Sequence, residues 1–317
     1  MDPNERVIFD AMPYFRVYES RRIERFPVID LSPPSVDPAT GVSSKDEVIL
    51  PEIGVSARLY LPKLDGHSSR KLPVLVYYHG GGFCVGSASS APLHSYLNSL
   101  VAKANILVVS VDYRLAPEHP VPVAYDDSWL ALQWVVSHSV SGTEAWLTDH
   151  ADFGHVYLFG DSAGANIAHN MALLAGTHQL AHNVRIKGLV LIHPYFIEAE
   201  ATESDGFDQR MSSGLKKLWM IMCPSTTGFD DYRINPMVDG APSLRNIGCD
   251  HVLVCVGGSD PLRDRGRAYY EKLQESGWKG KMELFQAIGE GHVFHLHKPN
   301  SEQALAQNKR ICDFLNL

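Results

Sequence analysis

HVYLFGDSAGANIAHNMALLAG, residues 155–176, passes from a β-branched and aromatic run through a glycine-flanked turn into a helical pattern. The turn is Gly160-Asp161-Ser162-Ala163-Gly164. A serine displayed on a strand-to-helix bend forces a sharp, strained backbone, so its neighbours two residues away must be small. Glycine at both flanks meets that demand. A helix opening directly after the serine also aims free N–H groups and the positive end of its dipole at developing negative charge. The stretch predicts a strand, a nucleophile turn and a helix in succession, with Ser162 as the nucleophile.

The same texture continues on both sides. LPVLVYYHG (72–80), ANILVVSVDY (104–113), IKGLVLIHP (186–194) and HVLVCVG (251–257) are short apolar runs, most of them closed by Gly, Pro or Asp. Continuous apolar runs suit strands buried on both faces, as in a parallel sheet covered by helices. SARLYLP (56–62) alternates like a half-buried strand. Helical patterns lie at 126–138 (DDSWLALQWVVSH), 164–176, 265–277 (RGRAYYEKLQESG) and 301–315 (SEQALAQNKRICDFL). Such alternation predicts a doubly wound α/β sheet. Two stretches break the rhythm. One runs to about residue 45 and joins a short amphipathic pattern (Val7–Tyr18) to a Pro/Ser-rich connector; the other, about 197–233, is rich in Glu, Ser, Met and Asp. Both read as cap elements of a single domain spanning 1–317.

The 317 residues are 45% hydrophobic with a net charge of −8, and no block of five like charges occurs. That composition supports a large core and argues against nucleic acid or an anionic membrane as partner. Five cysteines (Cys84, Cys223, Cys249, Cys255, Cys312) are odd in number and form no CxxC pair. They predict free thiols in a reducing compartment, not a disulfide framework or zinc site. Charges run through the first twenty residues, and no segment approaches the roughly 18 apolar residues of a membrane span. The expectation is a cytoplasmic protein, monomeric or homodimeric.

A serine nucleophile needs oxyanion donors, a base and an orienting acid. His79-Gly80-Gly81-Gly82-Phe83 follows the run LPVLVYY, and three glycines among apolar neighbours suit a loop whose backbone must approach a ligand. Gly81 and Gly82, with Ala163, are the predicted N–H donors; Gly80 shapes the turn and His79 is structural. HVLVCVG leads into Gly258-Ser259-Asp260-Pro261, which puts Asp260 at the carboxyl end of a strand. His292 follows Gly291 in a loop after KMELFQA, before the last helix. Asp264 competes with Asp260 but lies beyond Pro261; His295 and His297 compete with His292, which comes first after the strand. The chain order Ser162, Asp260, His292 suits such a triad. A metal cluster of His292, His295 and His297 lacks a convincing fourth ligand, so no metal or cofactor is expected.

HGGGF (79–83), VDYRLAPEHPVPVAYDD (111–127), GDSAGANIAHN (160–170), GGSDPLRDRG (257–266) and GEGHVFHL (289–296) together resemble plant carboxylesterases of the hormone-sensitive-lipase-like group. The likeness spans nearly the whole chain. It implies an α/β-hydrolase fold, a mostly parallel central sheet with helices on both faces. It further implies hydrolysis of small-molecule carboxylic esters through Ser162, His292 and Asp260, within plant specialised metabolism. Similar families include 2-hydroxyisoflavanone dehydratases, tuliposide-converting enzymes and gibberellin receptors, so elimination or cyclisation in the same pocket is the alternative. The receptors lack the catalytic histidine that His292 supplies here, which leaves the receptor reading remote. Arg114 and Glu118 are expected to form an ion pair. Asp161 and Asn166 either bind substrate or brace the turn, with bracing favoured. Phe83 and Tyr195, the latter in His193-Pro194-Tyr195-Phe196, are candidate pocket residues beside Asp161.

Overall fold

The apolar runs become strands because a sheet between two helical layers needs residues that bury both faces. The computed structural model describes residues 5–64 and 70–317, so residues 1–4 of the expected amino-terminal cap lie outside the described residues. In chain order the elements begin with β1 (Val7–Ala11), β2 (Phe15–Tyr18), β3 (Ile23–Arg25), β4 (Ser43–Leu50), β5 (Val55–Leu61) and β6 (Leu72–Tyr78). Then come α1 (Ala91–Ala104), β7 (Leu107–Asp112), α2 (Val123–Ser137), α3 (Ala145–His150), β8 (Ala151–Asp161) and α4 (Ala163–Thr177). The last part holds β9 (Ile186–Ile192), α5 (Gln209–Met222), β10 (Cys249–Gly257), α6 (Arg263–Glu275), β11 (Lys281–Ala287), α7 (Phe294–His297) and α8 (Glu302–Leu315).

Eight strands form the central sheet in the order β11-β10-β9-β8-β6-β7-β5-β4. From β11 to β7 every pairing is parallel, while β5 and β4 join antiparallel at one edge. Period-two alternation splits each inner strand between two cores. Val74, Val76 and Tyr78 of β6 face one core, and Leu75 and Tyr77 face the other. The first core is closed by Ala131, Leu132 and Val135 of α2, Ile167 and Met171 of α4, and Tyr269 and Leu273 of α6. Leu93, Leu97 and Leu100 of α1 with Ile311 and Phe314 of α8 close the second.

The two stretches outside the rhythm take their own forms. Val7–Tyr18 folds as an antiparallel hairpin, β1 with β2, extended by β3 into a separate three-stranded sheet. Within 197–233, α5 opens on Asp208, whose carboxylate accepts from Met211 N–H at 2.9 Å. The five cysteines are free thiols, as expected. Among the described residues no helix is long and apolar enough to cross a membrane. The expected Arg114–Glu118 ion pair does not form. Arg114 instead pairs with the buried carboxylate of Asp127 at 2.7 Å, and Glu118 reaches back to Arg25 on β3.

Candidate active site

The turn after β8 places Ser162 at φ 54°, ψ −118°, a strained conformation that the flanking glycines make possible. A β-carbon on Gly160 would lie 2.1 Å from the carbonyl oxygen of Gly164, and one on Gly164 would lie 1.9 Å from that of Tyr78. The bend is pinned from β9: Ser162 N–H donates to Ile192 O at 2.9 Å, and Tyr195 N–H donates to Ser162 O at 3.0 Å.

Asp260 and His292 arrive at the same end of the sheet. Asp260 follows β10, and its Oδ1 accepts from Leu262 N–H at 2.9 Å. His292 follows β11. Its Nδ1 lies 2.8 Å from Asp260 Oδ2, and its Nε2 lies 2.9 Å from Ser162 Oγ. Burial pushes the Asp260 carboxyl up, but the charge and hydrogen bond of His292 outweigh it and hold the group below its ordinary value. With Asp260 ionised and acceptor-only, Nδ1 of His292 donates to it, which leaves Nε2 to accept from the Ser162 hydroxyl. Burial likewise pulls the His292 imidazole down, and the Asp260 charge and hydrogen bond more than reverse this, so the ring stays above its ordinary value.

The glycine loop faces the same point. Gly80 N–H donates to Asp161 Oδ1 at 3.2 Å, and the Tyr77 hydroxyl also donates to that oxygen. A β-carbon on Gly80 would fall 2.4 Å from Asp161 Oδ2. Asp161 therefore ties the loop after β6 to the turn after β8. No hydrogen bond to a described residue uses the N–H of Gly81, Gly82 or Ala163. His79 stacks on Tyr113, whose hydroxyl donates to His79 O at 2.7 Å; it supports the loop from behind.

A cavity of about 530 Å³ opens over Ser162 and His292. Its lining includes Gly80, Gly81 and Gly82, Tyr14, Phe15 and Val28 of the amino-terminal segment, and Met211, Leu215 and Leu218 of α5. Phe83 and Tyr195, expected to line this space, are fully buried outside it. Phe83 packs edge-on to Tyr125 at 5.8 Å, and the Tyr195 hydroxyl donates to Leu215 O at 2.6 Å, fastening α5 to the core. Asp161 borders the cavity, but its carboxylate is spent on bracing. Asn166 braces too, donating to Tyr195 O and Arg233 O.

The competing residues have other partners. Asp264 accepts from Ser204 N–H at 2.8 Å and pairs with Arg263. His295 is buried against Tyr96, and His297 only borders the cavity. Ligand-type atoms of His193, Asp260 and His292 come within 4.8 Å of one another. Three of those atoms are already engaged: His292 Nδ1 with Asp260 Oδ2, His292 Nε2 with Ser162 Oγ and His193 Nδ1 with Val293 N–H, while His193 Nε2 is buried without a hydrogen-bond partner among the described residues. His193 went unnoticed in the sequence as part of this centre; its only signal was its place at the carboxyl end of an apolar run.

A family model described as the alpha/beta hydrolase fold matches residues 75–296. A 2-hydroxyisoflavanone dehydratase of Glycyrrhiza echinata is 46% identical, covering 96% of this chain and 94% of that protein. Probable carboxylesterase 7 of Arabidopsis thaliana is 45% identical over 98% of both chains. Among solved structures, a hyperthermophilic esterase from Pyrobaculum calidifontis superposes with a TM-score of 0.70 at 28% identity, covering 86% of this chain and 82% of the other. Matched by one family over most of its length and by plant relatives over nearly all of it, the chain belongs to the alpha/beta hydrolase fold family.

Proposed function

We propose that the protein is a serine hydrolase acting as a carboxylesterase on small, largely apolar esters. The observation that carries this is the unbroken chain from Ser162 Oγ through His292 to Asp260, at 2.9 and 2.8 Å, beneath an apolar-lined cavity. His292 Nε2 takes the hydroxyl proton as Ser162 Oγ attacks the ester carbonyl. The oxyanion is held by N–H groups of Gly81, Gly82 and Ala163, which have no partner among the described residues. His292 then protonates the leaving alcohol, and water attacks the acyl-enzyme by the same path. A cavity of about 530 Å³ suits a small-molecule ester. The β1–β3 sheet with its connector, and the insertion carrying α5, act as the cap that covers it.

A fluorophosphonate probe tests the reading: it should label the protein at Ser162 and fail to label Ser162→Ala. Folded wild-type protein that resists labelling would refute it.

The dehydratase relative at 46% identity carries a second reading, elimination of water in the same pocket. Product analysis with a 2-hydroxyisoflavanone beside a panel of esters separates the two.

A further inference from the structure

His193 terminates the run of β9 and is fully buried. Its N–H donates to Cys255 O at 2.8 Å, and its ring stacks on Phe294 with centroids 5.5 Å apart. Nδ1 meets two atoms of the centre above: Val293 N at 2.8 Å and Asp260 Oδ2 at 3.2 Å. Val293, the residue after His292, has φ 45° and ψ 32°. For a β-branched residue this left-handed conformation is a true outlier, disfavoured by the crowding of its Cβ against the backbone. Such strain persists only where the surroundings hold it. A second contact, Leu296 N–H to Val293 O at 3.0 Å, belongs to the short helix that follows and leaves the Val293 N–H untethered.

The Val293 amide can only donate, so Nδ1 of His193 is the unprotonated nitrogen and the ring is neutral with its proton on Nε2. Nδ1 then presents a lone pair to Asp260, not a hydrogen, and leaves Asp260 Oδ2 to His292. The titratable groups facing His193 are Asp260, His292 and His295. Burial outweighs the Asp260 charge and pulls the ring down to about 4, so this acceptor persists through the neutral range.

We propose that His193 is a positioning residue: by accepting from the strained Val293 amide it holds the His292 imidazole between Asp260 and Ser162. The inference rests on the triad reading above. The discriminating pair is His193→Ala against His193→Asn. Asn tolerates the left-handed backbone that His193 itself adopts (φ 48°), and its Oδ1 replaces Nδ1 as acceptor.

His193→Ala should lose about 10- to 100-fold in kcat with KM within about threefold, as expected when an interaction serves the transition state alone. The acid limb of its kcat/KM profile should move to lower pH as His292 loosens from Asp260. His193→Asn should keep kcat within about threefold of wild type and leave the limb in place. Equal loss in both folded variants, or wild-type kinetics in the alanine variant, overturns the proposal. If the alanine variant does not fold, a large kcat loss in folded His193→Asn overturns it and near-normal kcat supports it. Amide exchange of Val293 is read in parallel, since it does not depend on turnover. It should be slow in wild type and His193→Asn, and fast exchange in either overturns the proposal. Fluorophosphonate labelling of wild type separates failure of this proposal from failure of the triad.

Discussion

Gly164 stands so close to Tyr78 that only a hydrogen fits between its α-carbon and the Tyr78 carbonyl. The obstacle is backbone in the middle of the sheet, which cannot swing aside as a side chain would. Gly164→Ala should therefore lose about 3 kcal/mol of stability, the upper end for overpacking a tight site. Urea unfolding followed by tryptophan fluorescence checks this. A midpoint unchanged from wild type would contradict the close approach.

The Asp260–His292 contact fixes which imidazole nitrogen carries the proton. Asp260→Asn offers that nitrogen an amide that can equally donate, so the wrong tautomer competes. We expect kcat to fall about 10⁴-fold on a small aryl acetate with KM little changed. A loss confined to KM would place Asp260 in binding.

Activity and stability should respond to pH in opposite directions at His292. Its neutral form is the base and its folded value is raised, so kcat/KM should rise with pH through a midpoint above the ordinary 6.5. The protonated ring is the form the fold favours. Its contribution to stability is complete below 6.5 and is lost as pH climbs past the raised value. In Asp260→Asn the charge is gone and burial remains, so the residual activity should show its acid limb below 6.5. A limb that stays in place would assign it to another group.

Arg25 anchors the amino-terminal segment through three residues, pairing with Glu118 by both Nε and Nη2. Nη1 donates to Cys84 O at 2.7 Å, Nη2 to Ala116 O at 2.8 Å, and Nε to Glu118 Oε1 at 2.7 Å. Arg25→Ala should loosen the wall that carries Tyr14, Phe15 and Val28. KM for bulky apolar esters should rise about tenfold, a loss of ~1.4 kcal/mol, while kcat on an acetate ester holds. Equal effects on both substrates would count against a binding wall.

Arg114 bonds Asp127 through Nε, Nη2 and its backbone N–H, and the Asp127 side chain is fully buried. Arg114→Met would strand that carboxylate and should cost about 3 kcal/mol. The thermal midpoint reports it. An Arg114→Met, Asp127→Leu double variant should recover much of the loss.

The nucleophile turn, the glycine loop and the parallel strands were legible because their causes are local. Steric crowding at Gly160 and Gly164 and two-sided burial of β6, β8 and β10 are written in adjacent residues. β4 was not legible: SSKDEVIL is a polar, mostly half-buried edge strand and has no apolar run to read. The partner of Arg114 was misread for a related reason. Asp127 lies thirteen residues away on α2, and only the fold brings its carboxylate nearer than that of Glu118. The cavity wall was placed in the right segments but not in the right residues. Phe83 and Tyr195 suggested a pocket by type, while the actual lining depends on how β1–β3 and α5 settle over Ser162.

His292 lies 130 residues beyond Ser162 in the chain. On the ribosome, the strand, turn and helix around Ser162 are made well before His292, the proposed base. During that interval the nascent chain carries a shaped but idle hydroxyl, without an imidazole to accept its proton. On the proposed mechanism, the serine gains its base only when β11 has added to the sheet edge and delivered its following loop.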